Sequence, residues 1–351
     1  MKPEAAGAPA PAASRRRPVG AARGTVLVAG SVAVLLAAVV ASLAVGAHQL
    51  SPAEVAASLW TEITGTGSTY ADDVVASRIP RTVLGLMAGA ALAVAGVVMQ
   101  GLTRNPLADP GILGINAGAA AAVVTGMAFF GAGATGANVW IALPGALVTV
   151  LLVYGLASGR RGSTPVRLVL AGTVVTAVLM SYIQAIALTR PDVFNLYRFW
   201  AVGSLSGRTM EQAWDILPFF LVGLAASLAA GRFLNALALG EEAAASLGVR
   251  PGTAKIAGAL AATLLCASAT AAVGPIGFVG LAVPHMVRSF TGPDNRWLLV
   301  LSAVTGPALL LFADVAGRLL ARPGEVLTGV ITALLGAPLL ILAVRRMRAV
   351  A

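Results

Sequence analysis

Apolar residues run along this chain in long blocks, separated by short breaks rich in Gly, Pro and Arg. A helix needs roughly 20 apolar residues to cross a bilayer, and about ten blocks meet that length. They lie near Thr25–Gly46, Thr82–Leu102, Ile112–Phe130, Val139–Ala157, Val166–Leu188, Trp214–Ala230, Ile256–Val273, Gly277–Phe290, Leu298–Ala316 and Val326–Val344. The eighth is short, and Gly274, Pro275, Gly277, Gly280 and Pro284 interrupt it or its approach.

Basic residues orient these spans. With the N-terminus inside, the inner segments carry most of the Lys and Arg, roughly 17 against 7, which is the positive-inside asymmetry. Both ends are basic, as an even number of spans requires. This places both termini in the cytoplasm and the chain in the cytoplasmic (inner) membrane. Residues 1–23 are rich in Pro, Ala, Gly and Arg and are expected to be a disordered basic tail. Ser14-Arg15-Arg16-Arg17 has the form of a signal-peptide start, but the apolar block behind it outruns a signal h-region of about 7–15 residues. It therefore reads as an uncleaved first span. The ten-helix domain is expected over 24–348.

Composition agrees with this reading. The chain is 58% hydrophobic and only 11% charged, with a mean hydropathy of +0.88. Soluble domains carry about 25% charged residues, so an all-α integral membrane protein is expected. Its 40 glycines suit helices whose backbones approach closely. The net charge of +10 is a topology signal, and no nucleic-acid partner is expected. The single cysteine, Cys266, lies in an apolar run and reads as a small buried hydrophobe.

Catalytic chemistry is missing from the pattern. Lys2 and Lys255 are the only lysines, and neither belongs to a phosphate-binding P-loop. His48 and His285 have no Cys or carboxylate spaced with them as metal ligands. Charges are nearly absent from the span centres, where a proton-coupled carrier needs a relay. Asp314 is the best relay candidate, though a satisfied interfacial carboxylate is the simpler reading. A pore without an energy source needs a gradient or an external motor.

Five segments carry more information. Arg78-Ile79-Pro80-Arg81 places a proline in a first helical turn and two arginines at the outer mouth. Those charges either snorkel to the interface or dock an acidic partner. In the inner loop 99–114, Asn105-Pro106 and Asp109-Pro110 break helices. Asp109 and Pro110 read as an N-cap and first-turn proline for the third span, with Gly114 and Gly118 as a small-residue packing face. In Leu239-Gly240-Glu241-Glu242-Ala243-Ala244-Ala245-Ser246-Leu247-Gly248, acidic residues open a helix, alanines extend it and Gly248 closes it. This reads as one or two short cytoplasmic helices offered to a partner. Segment 274–285 is a broken helix, tolerated where protein or a water-filled cavity surrounds it. Gly336-Ala337-Pro338 predicts a kink in the last span.

Together these strings resemble the iron-chelate/vitamin B12 (FecCD-type) family of ABC importer permeases. Arg78 to Arg81, Gln100 to Gly114, Gly240 to Val249, Gly274 to His285 and Leu335 to Pro338 stand in the family's order and spacing. The resemblance covers roughly residues 25–347. It implies a type II ABC importer permease fold of ten helices, paired as a homodimer or with a paralogous permease. Two cytoplasmic ATPase subunits would bind below and a substrate-binding protein above, so ATP and Mg would be held by the partner chain and no cofactor by this one. It implies that a segment at about 236–254, through Gly240, Glu241, Glu242, Ala245, Leu247 and Gly248, couples to the ATPase. It implies docking of the binding protein at Arg78, Arg81 and Arg318. The path would be lined by span five, the segment after it and parts of other spans, with Asn116, Gly274, Pro275, Gly277, Gly280 and Pro284 on it. The implied cargo is a ferric siderophore, with cobalamin or haem as alternatives. An ion-gradient-driven carrier is the rival from another class.

Overall fold

The computed structural model describes residues 21–46, 48–65, 69–131, 138–157 and 165–348. The expected basic tail lies, through residue 20, outside the described residues. In chain order the α-helices are α1 Ala21–Ala44, α2 Pro52–Thr64, α3 Tyr70–Thr103, α4 Ile115–Phe129, α5 Asn138–Ala157, α6 Pro165–Thr189 and α7 Pro191–Val202. They continue with α8 Met210–Ala229, α9 Gly231–Ala238, α10 Glu241–Ser246, α11 Pro251–Val273, α12 Val279–Thr291, α13 Asn295–Leu320 and α14 Thr328–Arg348. No strand occurs among the described residues.

Seven of these, α1, α3, α5, α6, α8, α11 and α13, are long and apolar enough to cross a membrane. The shorter apolar α4 and α14 and the short α12, which follows a break in the chain, correspond to the remaining three expected spans. The second span is longer than the apolar pattern predicts. It begins at Tyr70 and runs for 34 residues, about 51 Å at ~1.5 Å per residue, against a bilayer core of about 30 Å. Its polar first turns therefore stand clear of the apolar zone, with the Thr69 N–H donating to Asp72 at 2.7 Å.

Helix α2 was not expected from the apolar blocks. Ser51 and Glu54 form a reciprocal capping box and Pro52 occupies the first turn, which together set its start. It turns Val55 and Ser58 inward and leaves Trp60 and Ile63 exposed.

Helices α3 and α11 form the centre of the bundle, with most of their residues buried. Helix α13 runs along α3, α8 and α5 lie against α11, α4 packs on α5, and α1 covers α13. Small residues set these contacts. Gly89 of α3 lies against Gly306 and Pro307 of α13, and Gly118 of α4 meets Gly145 and Thr149 of α5. The rows Leu151, Leu152 and Leu156 on α5 and Leu170, Val174 and Val178 on α6 face outward, as lipid or a second subunit demands.

Asp109 does cap, but it caps a 3-10 turn at Pro110–Leu113, accepting from the Gly111 N–H at 2.7 Å. The third span starts afterwards, at the left-handed Gly114. Pro338 sits inside α14, which continues through it.

Candidate functional site

Three groups of residues stand out, one at each end of the bundle and one at the helix break.

At the Arg81 end, an ion-pair cluster ties four helices together. Asp314 of α13 is 1% exposed. It accepts from Arg81 Nε and Nη2 at 2.9 and 2.8 Å, from Arg318 Nε at 3.0 Å and from Thr328 Oγ1 at 2.8 Å. Arg81 also pairs with Glu325 at 2.9 Å. Arg78 donates to the carbonyls of Leu43 and His48 at 2.6 and 2.7 Å. Arg318 donates to those of Ser42 and Val45 at 2.7 and 2.8 Å. Both guanidinium groups thus satisfy the orphan carbonyls at the C-terminus of α1.

This corrects the expectation of free outward charges. Arg78 is 8% exposed and Arg318 3%, and the Arg81 side chain is 12% exposed. Their donors are engaged within the chain, and the most open charge of the cluster is Glu325. The same contacts bear out Asp314 as a satisfied carboxylate. A group held by two guanidinium ions and a hydroxyl is poorly placed to shuttle protons. Sequence reasoning missed Glu325, since nothing in its neighbourhood announces an ion pair with residue 81.

At the break, α11 ends at Val273 and the chain crosses in irregular backbone to α12. Gly274 has φ 78° and Phe278, without glycine's freedom, has φ 68°. Phe278 fits because its ring lies against Gly336 of α14, where any side chain would collide with it. Within this chain the break residues expected on the path are mostly surrounded by protein. Gly274, Gly280 and Pro284 are buried, Pro275 is half-buried and Gly277 alone is exposed. Gly280 is pressed on Gly96 of α3, and its carbonyl accepts from Gln100 Nε2 at 3.3 Å. Arg288 in turn donates to Gln100 Oε1 at 3.2 Å. Asn116 is turned onto α11, where its Oδ1 accepts from Thr270 Oγ1 at 2.9 Å. Cys266 is buried beside it, as expected.

The loop after α7 is welded to this break by backbone alone. The Ser204 N–H donates to the Val273 carbonyl at 2.8 Å, and the Gly329 N–H to the Gly203 carbonyl at 3.0 Å. Beside the weld lies a cleft of about 300 Å³, lined by Met127, Phe199, Trp200, Ser204, Arg208 and Leu327 among others. Its chemistry was not read from the sequence, because its walls come from four separate segments.

At the Glu241 end, the expected short helix is present as α10, and a second, α9, precedes the segment where it was expected. Gly240 precedes α10 with φ 112°, and Gly248 closes it with φ 81°, donating to the Ala245 carbonyl at 2.9 Å. Glu241, Glu242, Ala245, Leu247 and Gly248 are exposed, Gly240 is half-buried, and Ala244 is buried and anchors the helix. Lys255 donates to Glu241 at 2.6 Å, and Arg104 lies 3.9 Å away. The hydrogen bond from Lys255, then its charge, holds the Glu241 carboxyl below the usual carboxylate range. The result is a small exposed knob with one internally balanced and one open carboxylate.

Comparison with known proteins gives three consistent likenesses. The model of the FecCD transport family matches residues 34–346. Over 325 residues the chain is 45% identical to the ferric enterobactin transport system permease protein FepD of Escherichia coli, covering 92% of this chain and 95% of that protein. It is 38% identical to the probable siderophore transport system permease protein YfiZ of Bacillus subtilis, over 89% of this chain and 93% of the other. A solved structure described as an inward-facing conformation of a metal-chelate type ABC transporter superposes with a TM-score of 0.79 at 26% identity. That match covers 92% of this chain and 99% of the other.

Proposed function

We propose a function from one premise: the chain belongs to the FecCD transport family. It is a multi-pass membrane permease, a transport subunit and not a catalytic enzyme. Such permeases work with an ATPase and a substrate-binding partner. We read this one as the membrane subunit of an ATP-driven importer that carries a ferric siderophore inward across the cytoplasmic membrane. Both termini lie on the cytoplasmic side in this reading, and the permease forms a pair with an identical or paralogous chain. ATP and Mg belong to the partner ATPase.

The observation that carries the siderophore reading is near full-length identity of 45% to a ferric enterobactin permease. The geometry supports the rest. In this reading the α9–α10 knob seats on the ATPase and receives its motion. The backbone weld carries movement of the α11–α12 break to the cleft on the Arg81 end. Asp314, locked in its cluster, leaves the energy source to the motor.

The test is uptake into a strain lacking this chain, restored by the chain. Ferric siderophores, cobalamin and haem are offered in parallel, with and without the partner ATPase. Siderophore-iron uptake that needs the ATPase is the expected result. Uptake that persists without it would return the gradient-driven carrier.

A further inference from the structure

The ion-pair cluster, the coupling knob and the helix break are each internally satisfied. One cationic group is set apart by where it stands. Arg208, in the loop between α7 and α8, is half-buried in the wall of the 300 Å³ cleft. Its Nε donates to the Ser204 carbonyl at 3.1 Å. No carboxylate pairs with it among the described residues; the same holds for Arg78 and Arg288, but of these three Arg208 alone lines this cleft. A guanidinium withdrawn from water without a counterion is costly, and such a charge is retained where something supplies the missing anion.

The lining beside it is aromatic. Trp200 lines the same cleft, is 4% exposed, and its indole N–H finds no acceptor among the described residues. Buried indole N–H groups ordinarily have one. Ser204 and Ser206 line the same space, and Phe199 supplies an aromatic wall. The cleft therefore offers a fixed charge and ring surface together. Its volume is at the lower end for ligand pockets, about 300–1,000 Å³, so it holds one arm of a bulky chelate and not the whole.

We propose that this cleft is an anion-selecting station on the transport path, in which Arg208, beside the rings of Phe199 and Trp200, holds a negatively charged, aromatic arm of the ferric chelate. The proposal rests on the importer reading above and adds the charge class of its cargo. Ferric tris-catecholates carry net negative charge on aromatic arms, and uncharged ferric trihydroxamates of similar size do not. The guanidinium fork suits paired anionic oxygens.

The experiment uses the full-length permease assembled with its ATPase in lipid nanodiscs. Binding of a ferric tris-catecholate and of an uncharged ferric trihydroxamate is followed by quenching of tryptophan fluorescence. The intact chain is expected to prefer the anionic chelate by about tenfold or more, the size of a hydrogen-bonded charge interaction. Arg208→Gln should abolish the preference by weakening the anionic chelate alone, and Arg208→Lys should keep part of it. Ser206→Asp, at an exposed position on the cleft, should abolish it by supplying the missing carboxylate without touching Arg208. No preference in the intact chain, or an equal loss for both chelates in the variants, overturns the proposal. Cell uptake measured alongside separates the two readings. Failure of siderophore uptake removes the importer reading, while uptake intact with no charge preference removes only this inference.

Discussion

Replacing Asp314 with Asn tests how the Arg81 end is held together. The change is nearly isosteric, so it removes charge while leaving volume. Asp314 sits at 1% exposure and accepts from Arg81, Arg318 and Thr328. A neutral amide offers one acceptor oxygen in place of two and turns its NH2 toward donors that cannot accept. Arg318, 3% exposed, would keep only its bonds to Ser42 and Val45. Breaking a buried ion pair by removing one partner costs about 3–5 kcal/mol, chiefly through the stranded charge. We expect a loss in that range. Arg318→Met alone strands Asp314 less, since Arg81 still holds it, but it also uncaps α1. The double variant Asp314→Asn with Arg318→Met removes both charges, so its loss should fall short of the sum by ~1 kcal/mol or more, as for other coupled neighbours. The assay is reversible unfolding of the purified chain in mixed micelles, run as a double-mutant cycle. A cost below about 1 kcal/mol for Asp314→Asn, or strict additivity in the cycle, refutes the claim that this cluster is the fastening of α1, α3, α13 and α14.

Other outcomes follow from the same geometry. Gly96→Ala should destabilise by about 1–3 kcal/mol, because its methyl meets the Gly280 backbone and has nowhere to go; Gly30→Ala, in open space, should not, and the two are compared by thermal unfolding. Lys255→Met should raise the Glu241 pKa toward the ordinary carboxylate range, seen by carboxyl NMR titration. Since the native pKa is depressed, the pair's contribution is present above the unfolded value and lost as pH falls through the depressed one. At an exposed site that contribution is small. Glu242→Lys should weaken co-purification with the ATPase while the unfolding midpoint stays put, because Glu242 is exposed on the knob; unchanged association would remove the knob's partner role.

Most of the fold was legible because a bilayer turns hydrophobicity into length. Nine of the ten expected blocks reappear as single helices, and the tenth as the short α12. What escaped was polar or amphipathic. The first turn of α3 carries Asp72 and Asp73, which no apolar block covers. Helix α2 has no span-length apolar run, though its capping box and Pro52 were there to be read. The coupling segment was legible down to its caps, since local propensity alone sets a six-residue helix. The arginines were misplaced for a different reason. Sequence shows charge but not its counterions, and Asp314 lies 233 positions from Arg81. The cleft was invisible for the same reason: α4, α7, the loop before α8 and the approach to α14 must meet before it exists.

The weld between Gly203, Val273 and Gly329 has a consequence for how this kind of protein diversifies. Two of the four residues that bond there, Ser204 included, are glycines, and a side chain at either would strike a neighbouring carbonyl. The joint is therefore written in backbone and is blind to which side chains surround it. Met127, Phe199 and Arg208, on the cleft beside it, are not so constrained. Cargo preference can drift through those positions while the linkage to the helix break is inherited unchanged. Divergence should accordingly collect on the cleft wall and leave the joint untouched.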